Sequence, residues 1–326
     1  MISIVLIASV FMPTESALPT IFAAAAVLGC ASAFSPAASS ALYPRLIPRT
    51  DLPMAVSWNS LGMQTSLVLF PAIGGLILAI GPEYVFGLAS LMYFFAMIAI
   101  ATAGTPRHEK TSEAAGFDMV MEGLRYVSRN KIVLGAISLD LVVVFFGSVI
   151  ALLPVFAYDI LDVGDIGLGF LQSAFAIGAV GVAYLLASKP LSKGVGRWMF
   201  GSVVVFGIGI LVFAVSKLFW LSMAALILAG AADMVSMYIR SSLIQLATPD
   251  EMKGRVSSVS FIFISASNEL GDFESGVAAR LLGPVGASVF GGCVAIGAAG
   301  VWWKLFPELA KADSFEGIKE LSVKHE

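Results

Sequence analysis

Long apolar stretches, each about as long as a bilayer is thick, follow one another along nearly the whole chain, and short loops hold the charges. Roughly 20 apolar residues at about 1.5 Å rise each span the ~30 Å hydrocarbon core. Hydrophobic residues make up 58% of the 326 residues and charged residues only 13%, with a mean hydropathy of +0.93. A water-soluble domain of this size needs a far more charged surface. The solvent of this chain is therefore lipid, where only helices or closed barrels satisfy their own backbone. The runs are continuous in Leu, Ala, Val, Ile and Phe, without a period of two, so they read as helices rather than barrel strands.

Helices are expected at 1–13, 17–43, 53–80, 83–104, 131–158, 165–188, 196–215, 218–247, 255–281 and 284–304. Breakers lie between them, among them Pro44, Pro48, Pro53, Pro82, Pro190, Pro249 and Pro284. The organisation expected is an incomplete helical bundle over 1–104, a linker over 105–130, a six-helix bundle over 131–306 and a polar tail over 307–326. Within the linker Phe117, Val120, Met121, Leu124 and Val127 recur at helical spacing beside Asp118, Glu122, Arg125 and Arg129. That pattern predicts an amphipathic interfacial helix.

The basic residues predict the orientation. If the first helix starts inside, 16 of the 19 Lys and Arg fall in inner loops or at the C-terminal end, all except Lys217, Arg240 and Arg280. Glu15, Glu83, Asp159, Asp162 and Asp165 fall on the opposite side. The positive-inside rule then predicts both termini in the cytoplasm.

The formal net charge of −3 argues against a nucleic-acid partner. Cys30 and Cys293 lie in apolar stretches and are expected as small buried hydrophobes. No phosphate loop, zinc spacing or nucleophile elbow occurs in the sequence, so no cofactor is expected and the chain does not read as an enzyme.

Two blocks of the chain align with one gap. Ser39–Pro82 and Ser241–Pro284 each begin with Ser-Ser, turn at a proline (Pro48, Pro249) and run one helix to a Gly-Pro turn. Such repeats occur in transporters with two related halves. Three helices precede the second block, and only the short 1–13 precedes the first. Equivalent halves would then make the present helices three to twelve of a six-plus-six protein.

With that repeat on the page, the chain resembles the major facilitator superfamily, and within it the branch of enterobactin-exporter-like and drug efflux proteins. The residues that carry the resemblance are Phe34–Ser60 (FSPAASSALYPRLIPRTDLPMAVSWNS), Glu122–Asn130 (EGLRYVSRN), Gln245–Val259 (QLATPDEMKGRVSSV) and Ser267–Gly276 (SNELGDFESG). The resemblance implies an all-α membrane protein of about ten transmembrane helices working by alternating access, often with proton exchange. There are departures. The loop Ala187–Arg197 (ASKPLSKGVGR) keeps its basic residues but lacks an acid, and Phe70 stands before Pro71 where such exporters usually have glycine, although Gly74 and Gly75 follow.

A charge at mid-bilayer costs roughly 2.5–3.5 kcal/mol on insertion scales, so retained charges mark candidate sites. Ser265, Asn268, Glu269, Asp272, Gly276 and Arg280 fall within about 120° of one helix face and form a polar stripe suited to a wet cavity. Glu274 lies off it. Asp233, Ser236, Met237 and Arg240 share another face; Asp233 and Arg240, two turns apart, are expected to pair across helices rather than with each other. Asp140 is the lone charge of its helix beyond the opening Lys131, and burial of a carboxylate favours its protonated form. The proton-coupling or substrate candidates are therefore Asp140, Asp233, Asn268, Glu269 and Asp272. The cavity or gate candidates are Arg240, Arg280, Asn59 and Gln64. Ala25, Gly29, Ala33, Ala37 and Ala41 form a ridge for close helix approach, as do Gly178 and Gly181.

The expected protein is a monomeric, multi-pass secondary transporter of the bacterial inner membrane. It would export a small organic molecule, siderophore or drug-like, against proton entry. The competing expectation is a truncated membrane protein that transports nothing and serves as a scaffold.

Overall fold

In the computed structural model the described residues are 19–27, 29, 62, 66, 69–71, 73–102, 117–191, 193–249 and 252–313. They are overwhelmingly helical and contain no strand. The chain forms two compact units, Met1–Ser112 and Glu113–Glu326.

In the first unit, residues 19–27 and 73–78 are helical and α1 runs over Pro82–Thr102. Phe70, Ile73, Gly74 and Ile77 face Val85, Leu88, Ala89 and Met92 across an apolar hollow. Gly29 and Gly74 have open space where a Cβ would stand. Ala33, Ala37 and Ala41, expected in the small-residue ridge, lie outside the described residues, as do Cys30, Asn59 and Gln64.

The second unit begins with α2 (Phe117–Arg129), strongly amphipathic, and α3 (Lys131–Gly147). Asn130 separates them and caps α3: its side-chain oxygen accepts from the N–H groups of Ile132 and Val133, both at 3.1 Å. The apolar run continues beyond Gly147 as a 3₁₀ turn (Ile150–Leu152), an α turn (Leu153–Val155) and a π turn (Phe156–Ile160). Then follow α4 (Gly164–Ser188), α5 (Val195–Val215), α6 (Phe219–Ala247), α7 (Lys253–Leu305) and the short α8 (Pro307–Ala310).

Six helices among the described residues are long and apolar enough to cross a bilayer. The last of them, α7, has 53 residues, about 80 Å of helix, far more than one crossing needs. It bends at Gly283, whose φ of 76° and ψ of 161° no side-chain-bearing residue adopts easily. Pro284 next to it disfavours α geometry at Gly283. The two limbs, 253–282 and 284–305, are each of membrane length, which separates the two spans expected at 255–281 and 284–304.

Helices of the second unit approach closely where glycine removes a side chain. Gly178 of α4 lies against the carbonyl of Ile227 on α6, and Gly230 of α6 lies against the carbonyl of Phe175 on α4. This reciprocal contact is the small-residue packing that substitutes for a hydrophobic driving force in lipid. Gly181 has open space beside it instead. Cys293, expected buried, is a free thiol on an exposed face of α7; the helix has enough small residues to pack through Gly291, Gly292 and Ala295 without it.

One end of this unit gathers the basic segments. Tyr126 donates from its hydroxyl to the carbonyl of Ala247 at 2.5 Å, and Glu122 pairs with Arg255. Both contacts tie α2 to the α6–α7 connection. Residues 307–313, expected as the start of a polar tail, are packed at the same end. Leu309 is fully buried and meets Gly135, while the carbonyls of Ala312 and Asp313 accept from the N–H groups of Gly196 and Gly194. Those N–H groups open α5 and have no partner within it. Trp302 donates from its indole N–H to Ser138 of α3 at 2.9 Å.

Candidate functional site

The charges of α3 and α6 meet inside the second unit. Asp140 stands about 13.5 Å along α3 from Lys131, near mid-bilayer depth for a span that starts there. Arg240 of α6 donates to it, and both side chains are 7% exposed. This burial is what makes the pair matter: a surface pair contributes little, whereas separating a buried one strands a charge in apolar surroundings.

Asp140 also borders two small cavities. On one side it meets Asp233, Ser202, Ser236 and Phe206, between α3, α5 and α6. On the other it lies with Arg240, Ser260, Phe263 and Ser267, between α3, α6 and α7. Asp233 thus shares a cavity wall with the carboxylate that Arg240 contacts. The cluster therefore holds two carboxylic acids and one guanidinium. A single proton makes it neutral, and its loss leaves one net negative charge on the cluster.

The polar stripe of α7 has a different setting. Its buried line is Ser267, Gly271, Ser275 and Ala278, which faces α3. Asn268, Glu269, Asp272 and Arg280 are exposed, on a face that the second unit leaves uncovered; Glu274 is half-buried. Asp272 reaches back to α3 and accepts from the hydroxyl of Ser148. The structure thus brings Asp140, Asp233 and Arg240 together and keeps Asn268, Glu269 and Asp272 apart from them on α7. Asn59 and Gln64 are not among the described residues.

Sequence reasoning missed three contributors. Ser148 interrupts α3, and the available signal was Gly147-Ser148 ahead of Pro154. Ser275 is buried and donates to the carbonyl of Ser148 at 2.6 Å. Tyr126 was read only as part of an amphipathic helix.

Membrane-length helices packed through glycine, enclosing an acid–base cluster, define a multi-pass helical membrane protein with a polar interior. The chain belongs to the transmembrane secretion effector family of the major facilitator superfamily, whose model matches residues 1–322. It is similar to the enterobactin exporters EntS of Escherichia coli O1:K1 / APEC and of Shigella boydii serotype 18, strain CDC 3083-94 / BS512. Each is 26% identical over 248 residues, which cover 76% of this chain and 58% of the relative. The EntS of E. coli O139:H28 shows the same identity and coverage. The match thus spans a little under three fifths of the length of these curated relatives.

Proposed function

We propose that this protein exports a small organic molecule across a bacterial inner membrane, driven by proton entry through alternating access. Family membership supports the transport class, and the relatives named for enterobactin export favour a siderophore or a molecule of similar amphipathic character. The basic residues at one end of the second unit support an orientation with that end, and both termini, in the cytoplasm.

The observation that carries the coupling is the unequal charge count around Asp140. Arg240 neutralises one acid of the Asp140–Asp233 pair, and a proton neutralises the other. Proton arrival makes the cluster neutral and allows the helices to close over it. Proton release restores a charge, and a charge in a closed apolar interior favours the conformation that readmits water. Asn268, Glu269 and Asp272 line the uncovered face of α7, where they offer hydrogen bonds to substrate.

The test is transport in proteoliposomes. The purified full chain is reconstituted, an acid-outside gradient is imposed, and movement of a catecholate siderophore or a cationic dye is followed. The gradient accelerates outward movement, and Asp233→Asn removes that acceleration. Equal rates with and without the gradient in the wild-type protein would overturn the coupling.

A further inference from the structure

The interruption of α3 lies far from the Asp140 cluster and needs its own explanation. The helix ends at Gly147, about 25 Å from Lys131, with Ser148 in an extended conformation (φ −72°, ψ 91°) inside an apolar run of 30 residues. In lipid an unpaired backbone carbonyl is costly, so a broken helix persists only where its free groups find partners. The first limb of α7 supplies one, and both limbs pack closely on this end: a Cβ at Gly271 would meet the carbonyls of Val144 and Phe145, and one at Gly291 that of Phe146. Ser275 donates its hydroxyl to the carbonyl of Ser148, and Ser148 donates its own to Asp272. A small cavity opens at the break between Phe146, Ser148, Ser275, Ser288 and Gly291. Ser288, also lining it, donates to the carbonyl of Pro284 at 3.0 Å.

The hydrogen-bond count at this break is one-sided. All three serine hydroxyls have committed their only proton, so what each still offers is lone pairs. The Asp272 carboxylate and the terminal carbonyls of α3 also offer only lone pairs. The negative end of the α3 dipole points into the same place. Arg280, eight residues along α7 or about 12 Å away, makes no ion pair with any described residue. A set of oxygens without a spare donor suits a cation. With one carboxylate among hydroxyls and carbonyls, the charge matches a monovalent ion; calcium sites gather 6–8 oxygens, commonly with several carboxylates. Among the described residues no three His, Cys, Asp or Glu come together.

We infer that the broken end of α3 and the Asp272–Ser275 turn of α7 form a sodium-ion site, with Asp272, Ser148, Ser275 and the terminal α3 carbonyls as oxygen ligands. The inference does not rest on the proton-coupled reading of the Asp140 cluster; Asp272, which that reading sets on the substrate face, is the one residue the two share. An ion there would hold the broken end of α3 to the first limb of α7.

The test is thermal unfolding of the purified full chain in detergent, titrated with sodium chloride against choline chloride at constant ionic strength. Binding to the folded state raises the unfolding temperature in a saturable way. Sodium is expected to give a rise of a few degrees that choline does not give. Asp272→Asn abolishes it, Ser275→Ala raises the half-saturating concentration at least tenfold, and Asp233→Asn leaves it unchanged. Sodium-23 line broadening on the wild-type protein gives the second measurement should either variant fail to fold. Identical curves in sodium and choline together with no line broadening would overturn the site. So would a sodium response that survives Asp272→Asn. Failure here leaves the pH-gradient result untouched, and failure of the gradient leaves this result untouched.

Discussion

Arg240 and Asp140, one hundred positions apart in the chain, are joined as an ion pair within the helical bundle, each side chain 7% exposed. The pair links α6 to α3 at a depth where neither charge has bulk water to return to. It also leaves Asp233 as the acid without a matching base in the same cluster.

Removing one partner should therefore cost much more than removing both. Asp140→Asn takes away the carboxylate that Arg240 contacts, and breaking such a buried pair costs about 3–5 kcal/mol. The double variant Asp140→Leu, Arg240→Met should recover most of that loss. Thermal unfolding in detergent across the four-member cycle measures it. A loss in the double variant equal to the sum of the two single losses would mean that the pair contributes nothing as a pair.

Asp233→Asn should behave differently, because asparagine stands in for the protonated acid. The cluster stays neutral at every pH. The expected outcome is a protein that folds and exchanges substrate down its gradient but no longer responds to an imposed acid-outside gradient. Flux at outside pH 5.5, 6.5 and 7.5 with a fixed interior gives the answer: a slope for the wild type and a flat line for the variant.

The contact of α2 with the start of α7 is weaker by nature. Glu122 and Arg255 are 51% and 34% exposed, where coupling energies run at about 0.2–1 kcal/mol and are screened by salt. A double-mutant cycle of Glu122→Gln and Arg255→Gln should return a value in that range at low salt and a smaller one at 0.5 M. A value above about 2 kcal/mol would show that solvent does not reach the pair.

The glycine contacts between α4 and α6 separate two kinds of glycine on one helix. A Cβ at Gly178 meets the Ile227 carbonyl, whereas none of the surrounding atoms reaches a Cβ at Gly181. Gly178→Val should destabilise by about 1–3 kcal/mol through overpacking. Gly181→Ala should be neutral or raise stability by about 0.4–1 kcal/mol through a less flexible unfolded chain. Unfolding temperatures of the two variants, measured side by side, check both.

The number and placement of the helices in the second unit were legible in the sequence because a bilayer enforces them. A span must be apolar over a set length, and its ends collect Lys, Arg, Pro and Gly, so α4 to α6 begin and end within a residue of their expected bounds, whereas α3 starts where expected and ends at Gly147 rather than 158. The Gly283-Pro284 bend was legible for the same local reason, since only glycine tolerates that backbone before a proline. The candidate charges were visible too, as costly exceptions in apolar runs. Their partners were not. Helical periodicity says which residues share a face of one helix, and nothing in it says which face of another helix lies opposite. Asp140 looked solitary until α6 brought Arg240 across to it, and the polar stripe of α7 proved to be its uncovered side, with Ser267, Gly271 and Ser275 turned inward. The break at Ser148 belongs to the same class: an apolar run of 30 residues reads as continuous, and only the tertiary structure brings Ser275 to the Ser148 carbonyl and Asp272 to the Ser148 hydroxyl where the α3 backbone parts.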